Sequence, residues 1–256
     1  MKDMLRSVAM VFSMFSRLPA PRVEWKRENM RYMLGFLPLV GIVAGALEAL
    51  WWWLCLRSGF GDLLFAAGMT ALPLLLTGGI HMDGFMDTVD ALSSHGDVEK
   101  KRAILKDSHA GAFAVLYCAL YLLGSFALYA ETKANAELLL PVCLIPVLSR
   151  CGSAAASLVF PVYGGEGLLK TFHEAGSKRA LIFPLLAAAA VLGVIALRMP
   201  VTAAACLAAE ALCLLYVYRM SKKQFGGMSG DLAGFLLQLS EIVLLFVIIV
   251  CKAVSK

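Results

Sequence analysis

The chain has 256 residues, of which 60% are hydrophobic and only 16% charged, and its formal net charge is +5. Its mean hydropathy is +0.78. Soluble domains average nearer half apolar and a quarter charged, so the balance excludes an ordinary soluble domain and predicts an all-α polytopic membrane protein.

Residues 1–33 precede the first long apolar run. Met1–Pro19 carries charges at Lys2, Asp3, Arg6 and Arg17 without an uninterrupted apolar core, so no cleavable signal is expected. Leu5, Val8, Phe12, Phe15 and Leu18 recur at helical spacing and predict an N-terminal amphipathic helix in the membrane interface. Arg17, between Ser16 and Leu18, either anchors that interface or reaches a phosphate from it.

About seven stretches that follow are long and apolar enough to be transmembrane helices: 34–56, 62–80, 111–130, 138–159, 180–198, 201–219 and 233–251. The fifth and sixth meet at Met199-Pro200, a tight turn between antiparallel helices. No soluble domain, low-complexity tract or internal repeat interrupts them, so residues 1–256 form one membrane domain. The seven cysteines lie in or beside apolar segments without a Cys-x-x-Cys pair, as buried thiols rather than a metal or disulfide framework.

Lys and Arg set the expected orientation. With the N-terminus in the cytoplasm, residues 1–33, 81–110, 160–179 and 219–232 share that side and hold 17 basic residues, against 5 on the other. All four histidines fall there, as do Asp83, Asp87, Asp90, Asp107 and Asp231. Any polar chemistry is therefore expected on cytoplasmic loops of the cell membrane.

The densest polar run starts at Thr77-Gly78-Gly79-Ile80-His81-Met82-Asp83-Gly84 and continues to Asp87 and Asp90. A helix would put Asp83, Asp87 and Asp90, at i, i+4 and i+7, on one face. Carboxylates so close repel unless a proton or cation neutralises them. Hard divalent cations such as magnesium favour oxygen ligands and bring phosphate-bearing substrates with them. A solvated acidic face is the bland alternative. Against it, Ile80, Met82, Phe85, Met86, Val89 and Leu92 are interleaved, so the segment is amphipathic and partly buried. His81 is either a base, a phosphate contact or simply an interfacial polar residue.

A second polar cluster, Arg102 and Lys106-Asp107-Ser108-His109, stands before the third span, where helix N-termini attract anions. Asp107 or Ser108 is expected to cap that helix. A third cluster, Gly226-Gly227-Met228-Ser229-Gly230-Asp231, joins a glycine turn to a capping carboxylate. Glu48, Arg150, Glu210 and Glu241 are charges inside apolar spans, where a functional or paired role is the default. Arg150 suits phosphate through its planar fork, or a structural ion pair with one of the glutamates.

Together these pieces resemble the cobalamin synthase family, also called adenosylcobinamide-GDP ribazoletransferase. The resemblance rests on residues 77–90, supported by Ser16-Arg17-Leu18-Pro19, Pro38-Leu39-Val40-Gly41, Lys106-Asp107-Ser108 with Gly111, Ser149-Arg150, Ser229-Gly230-Asp231 and Leu239-Ser240-Glu241. His109, Ala91 and Ser229 depart from the residues usual in that family. The resemblance implies a magnesium-dependent transferase that joins adenosylcobinamide-GDP to α-ribazole, or its 5′-phosphate, and releases GMP. It implies Asp83, Asp87 and Asp90 as magnesium ligands with Asp231 as a further one, His81 or Asp107 as base, and Arg17, Lys106 and Arg150 as phosphate contacts. Membrane lipid is an expected partner, nucleic acid is not, and a homo-oligomer or a complex with other enzymes of the cobalamin pathway is compatible with it.

Two rivals remain. CDP-alcohol phosphotransferases also cluster aspartates, but their D-G-x-x-A-R pattern fails here, because Asp83-Gly84 is followed by Phe85-Met86-Asp87. A transporter would use Glu48, Arg150, Glu210 and Glu241 to line a pathway, and no internal repeat supports it.

Overall fold

The structure is a computed structural model that describes residues 2–163 and 167–255. Met1, Lys256 and part of the 160–179 loop, which entered the orientation argument, lie outside the described residues. Among the described residues there are twelve α-helices, α1 to α12 in chain order, and the β structure is one isolated bridge between Val162 and Met228.

Six helical stretches are long and apolar enough to cross a bilayer. They contain α3 (Leu37–Ser58), α7 (Ala112–Ala130), α8 (Leu139–Val159), α10 (Ile182–Ala196), α11 (Pro200–Met220) and α12 (Gly230–Val254). Each matches an expected span to within a few residues. Pro200 opens α11 at the expected tight turn, where its missing N–H costs nothing.

The expected span 62–80 is present as a bent pair of helices, which counts as the seventh span if the pair is taken as one. α4 (Asp62–Thr77) stops early, and the chain turns by 96° into α5 (Ile80–Ser93), so the pair forms at most one broken span. Sixteen residues of α4 extend only about 24 Å, short of a hydrocarbon core of about 30 Å. Gly78 and Gly79 make the turn, at φ 65° and 80°. Two consecutive left-handed residues are strained for any side chain with a β-carbon.

The tightest pairing is between α3 and α8. A β-carbon at Gly41 would collide with the Pro146 carbonyl, and one at Gly45 with the Cys143 carbonyl. Glycines four apart thus let two backbones touch, which supplies packing where lipid offers no hydrophobic drive. Around the bundle Leu63, Leu75, Leu123, Leu186, Leu212 and Phe246 are exposed, a surface suited to hydrocarbon rather than water.

The buried residues form two clusters. One holds Trp52, Phe65, Leu138, Leu148 and Leu244. The other gathers Val11, Met33, Val40, Phe85, Phe172, Met228 and Leu236 from the N-terminal helix, the turn before α3, α3, α5, α9 (Leu168–Ala175), the loop before α12 and α12 itself. α1 (Lys2–Phe15) is helical as expected, but it turns Ser7, Met10 and Val11 fully inward and leaves Leu5 exposed. Ser7 Oγ donates to the Asn29 carbonyl at 2.6 Å, which ties α1 to α2 (Arg27–Met30). The acidic helix α5 packs chiefly on α12 and also on α7.

Candidate functional site

The N-terminal turns of α5 and α12 meet in near backbone contact. A β-carbon on Gly84 would lie 2.7 Å from the Asp231 carbonyl oxygen, and one on Gly234 2.9 Å from the His81 carbonyl oxygen. Small residues on both helices therefore bring Asp231, distant in sequence, beside the acidic run. Ser229 caps α12 by accepting the Leu232 N–H at 3.3 Å, and its hydroxyl also donates to Asp231 Oδ2 at 3.4 Å. The capping role expected of Asp231 thus belongs to Ser229, and the aspartate is left in the first turn, where the helix dipole favours it.

A cavity of about 320 Å³ opens at this junction, with Asp83, His81 and Asp231 in its wall. Met14, Phe15, Leu34 and Leu37 line one part, and Ser153, Ser157, Tyr163, Lys106 and Lys170 supply polar lining. Asp83 is exposed, whereas Asp87 and Asp90 are partly buried one and two turns further along α5. Asp87 feels the negative charges of Asp83, Asp231 and Asp90. Asp90 lies against Gly111 at the start of α7, where a β-carbon would strike its carboxylate. Helical spacing therefore aligns the three carboxylates as expected, and the fold adds Asp231 as a fourth.

Among the described residues, none of these four carboxylates is in a salt bridge. Nor do three His, Cys, Asp or Glu side chains converge there on one point as metal ligands do. An uncompensated, all-oxygen set fits a hard divalent cation in chemistry. Magnesium retains several waters, so the carboxylates need not all close on it directly.

His81 is 5% exposed, and its Nε2 has no hydrogen-bond partner among the described residues. Its ring stacks on Phe15 with centroids 5.6 Å apart and planes 13° from parallel. Stacking holds the imidazole in place, with its Nε2 buried and without a partner among the described residues.

The other expected residues divide. Lys106 lines the cavity. Arg17 is exposed at the α4–α5 bend, where its N–H donates to the Leu76 carbonyl at 2.7 Å and its side chain lies on Gly78. Asp107 is outside the cavity wall and accepts from His109 N–H at 3.0 Å and His109 Nδ1 at 2.7 Å. Those bonds hold its carboxyl below the usual carboxylate range and weaken it as a proton acceptor. Neither Asp107 nor Ser108 caps the next helix: Gly111 is the N-cap of α7 and no side chain caps it, which corrects that expectation. Arg150 is 1% exposed and paired with Glu241, Nη1 to Oε1 at 2.8 Å, while Nη1 also donates to the Pro146 carbonyl at 3.0 Å. Of its two expected roles, the ion pair is the one that the geometry displays. Glu48, fully buried, accepts from Tyr129 Oη at 3.2 Å close by.

Sequence reasoning missed Ser153, Ser157, Tyr163 and Lys170. Small polar residues on an apolar helix carry no distinctive pattern. Ser153 Oγ donates to the Ala233 carbonyl at 3.0 Å and links α8 to α12. Arg102 supports Tyr163, with its guanidinium 4.5 Å from the ring centre and its Nε donating to the Phe225 carbonyl at 2.7 Å. Aromatic and basic residues in the 160–170 loop were the available signal.

Comparison with known proteins adds a second line of observation. The family model described as Cobalamin-5-phosphate synthase matches residues 7–249. A Lachnoclostridium phytofermentans protein named adenosylcobinamide-GDP ribazoletransferase is 33% identical over 252 residues, covering 98% of this chain and 95% of its own. Similarly named proteins from Geobacillus thermodenitrificans and Clostridium perfringens are 35% and 32% identical, each over 94% or more of both chains. No solved structure matches the chain.

Proposed function

The chain belongs to the cobalamin-5-phosphate synthase family, and from that membership we propose that it is a membrane transferase joining adenosylcobinamide-GDP to α-ribazole, or to its 5′-phosphate. The products are adenosylcobalamin, or its 5′-phosphate, and GMP. The near full-length family match carries this reading. CDP-alcohol transfer and transport are not favoured by that match.

The reaction moves a phosphoryl-linked group to a ribose hydroxyl. The hydroxyl oxygen bonds to the phosphorus that carries the cobinamide, and the diphosphate linkage to GMP breaks. Catalysis of this type is mostly positioning and charge stabilisation. Lys106 and Lys170 on the cavity wall are suited to the phosphates, and Arg17 at the bend to their outer edge. His81 lies in the cavity wall and Asp107 outside it, so position favours His81 as the group that accepts the hydroxyl proton. Arg150 serves by packing α8 against α12 through Glu241 rather than by reaching substrate.

Asp83, Asp87, Asp90 and Asp231 are the residues that would hold magnesium. When bound, the ion supplies neutralising charge for the diphosphate and the departing GMP. Met14, Phe15, Leu34 and Leu37 give one end of the cavity an apolar wall.

Placing the basic loops in the cytoplasm by the charge asymmetry puts the cavity on the cytoplasmic side of the cell membrane. α1 then lies along the interface, and a homo-oligomer or pathway complex would assemble through the lipid-facing helices. The deciding experiment is direct. Protein purified in detergent is given adenosylcobinamide-GDP, α-ribazole and magnesium, and GMP is measured. Absence of GMP and of a cobalamin product would overturn the assignment.

A further inference from the structure

We propose that a groove between the end of α5 and the end of α11 binds the headgroup and upper acyl chain of an anionic phospholipid. The groove is separate from the acidic cavity and shares no lining residue with it. Its volume is about 470 Å³, and its wall combines Leu92, Leu212, Leu215 and Tyr216 with Arg219 and Lys223.

The arrangement is graded along the helix. Leu212, Leu215 and Tyr216 are 66%, 42% and 49% exposed, which suits contact with an acyl chain and not with water. One turn further on, Arg219 and Lys223 stand four residues apart on the same side, and both are exposed. Among the described residues, neither is in a salt bridge or a side-chain hydrogen bond, and the groove wall contains no carboxylate.

The backbone there is also unusual. Ser221–Phe225 continues α11 as a π-helical turn, a form that recurs at functional sites. Gln224, also in the groove wall, accepts from buried Lys101 Nζ at 2.5 Å. That bond fastens the widened turn to α6 (Val98–Ile104) and holds the groove's polar end in place.

Apolar wall below and uncompensated cations above match one ligand class: a lipid whose phosphate is negative and whose chains are in the same bilayer as α11. Basic sites at the ends of membrane helices take such headgroups, with each Lys or Arg contributing roughly fivefold in affinity. A neutral zwitterionic lipid would satisfy the apolar wall but leave the two cations unbalanced. Free inorganic phosphate would satisfy the cations and leave the apolar wall empty.

The test uses the full chain in mild detergent. Lipid retention is measured by native mass spectrometry with phosphatidylglycerol or phosphatidylcholine of matched chains, and in a third arm phosphatidylglycerol competes with millimolar inorganic phosphate. The wild type is expected to retain phosphatidylglycerol roughly tenfold or more over phosphatidylcholine, to keep it against phosphate, and to lose the preference in high salt. The R219Q/K223Q variant is expected to retain the two lipids equally. Equal retention by the wild type overturns the proposal, as does an undiminished preference in the variant or ready displacement by phosphate. Should the variant fail to fold, the wild-type lipid, phosphate and salt arms decide the question alone.

Discussion

Gly84 on α5 faces the backbone of Asp231 on α12 so closely that a β-carbon would lie 2.7 Å from the Asp231 carbonyl oxygen and 2.8 Å from its Cα. Both obstacles are backbone, so neither can swing aside. Gly84→Ala is expected to part the two helices, cost about 1–3 kcal/mol of stability and sharply reduce GMP release. Thermal unfolding in detergent and the GMP assay check it, and wild-type values in both would show that the contact is looser than described.

The two carboxylates on the cavity wall are expected to matter most. Asp83→Asn and Asp231→Asn should each lower GMP release by about 10²-fold or more while the protein still accumulates in the membrane. Normal turnover by both variants would remove the acidic rim from the reaction.

Asp87 is surrounded by Asp83, Asp231 and Asp90 without a compensating salt bridge among the described residues. Asp87→Asn should therefore raise the unfolding temperature in chelator at alkaline pH, where neither a cation nor a proton relieves the repulsion, and abolish the gain given by added magnesium. Melting curves with and without magnesium distinguish this from a general stabilisation, which would persist in both.

His81 and Asp107 make opposite predictions for the proton acceptor. His81→Asn should reduce the rate by about 10²-fold, whereas Asp107→Asn should leave the rate and its pH profile nearly unchanged. His109 lowers the Asp107 carboxyl below its usual range, so it is ionised through neutral pH in either reading. Any stability this shift provides is present above the ordinary carboxylate range and is lost as pH falls through the lowered value. A large loss in Asp107→Asn alone would reverse the assignment.

The pair formed by Arg150 and Glu241 is judged by a double-mutant cycle. Arg150→Met and Glu241→Gln should each destabilise by about 3–5 kcal/mol, because each strands a buried partner, and the double variant should cost less than the two combined. Strict additivity would mean that the 2.8 Å contact contributes nothing as a pair.

Most of the span positions were legible because hydrophobicity is summed over about twenty residues, and no tertiary contact is needed to read it. The turn at Gly78-Gly79 was not, since both glycines end an apolar run and only their positive φ values reveal the 96° change of direction. The alignment of Asp83, Asp87 and Asp90 was legible too, because it follows from helical periodicity alone. Arg150 offered two readings, phosphate or ion pair. Choosing between them required the position of Glu241, 91 residues away.

By itself, then, the sequence determined an apolar helical chain and one acidic face, because both are local properties of spacing and composition. The tertiary structure alone decided how closely Asp231, already named by the resemblance, approaches that face, that His81 stacks on Phe15, and that Ser153, Tyr163 and Lys170 share the cavity. These depend on which backbones approach closely. That approach is set at Gly84 and Gly234, where the missing side chains have meaning only once the opposing helix is in place.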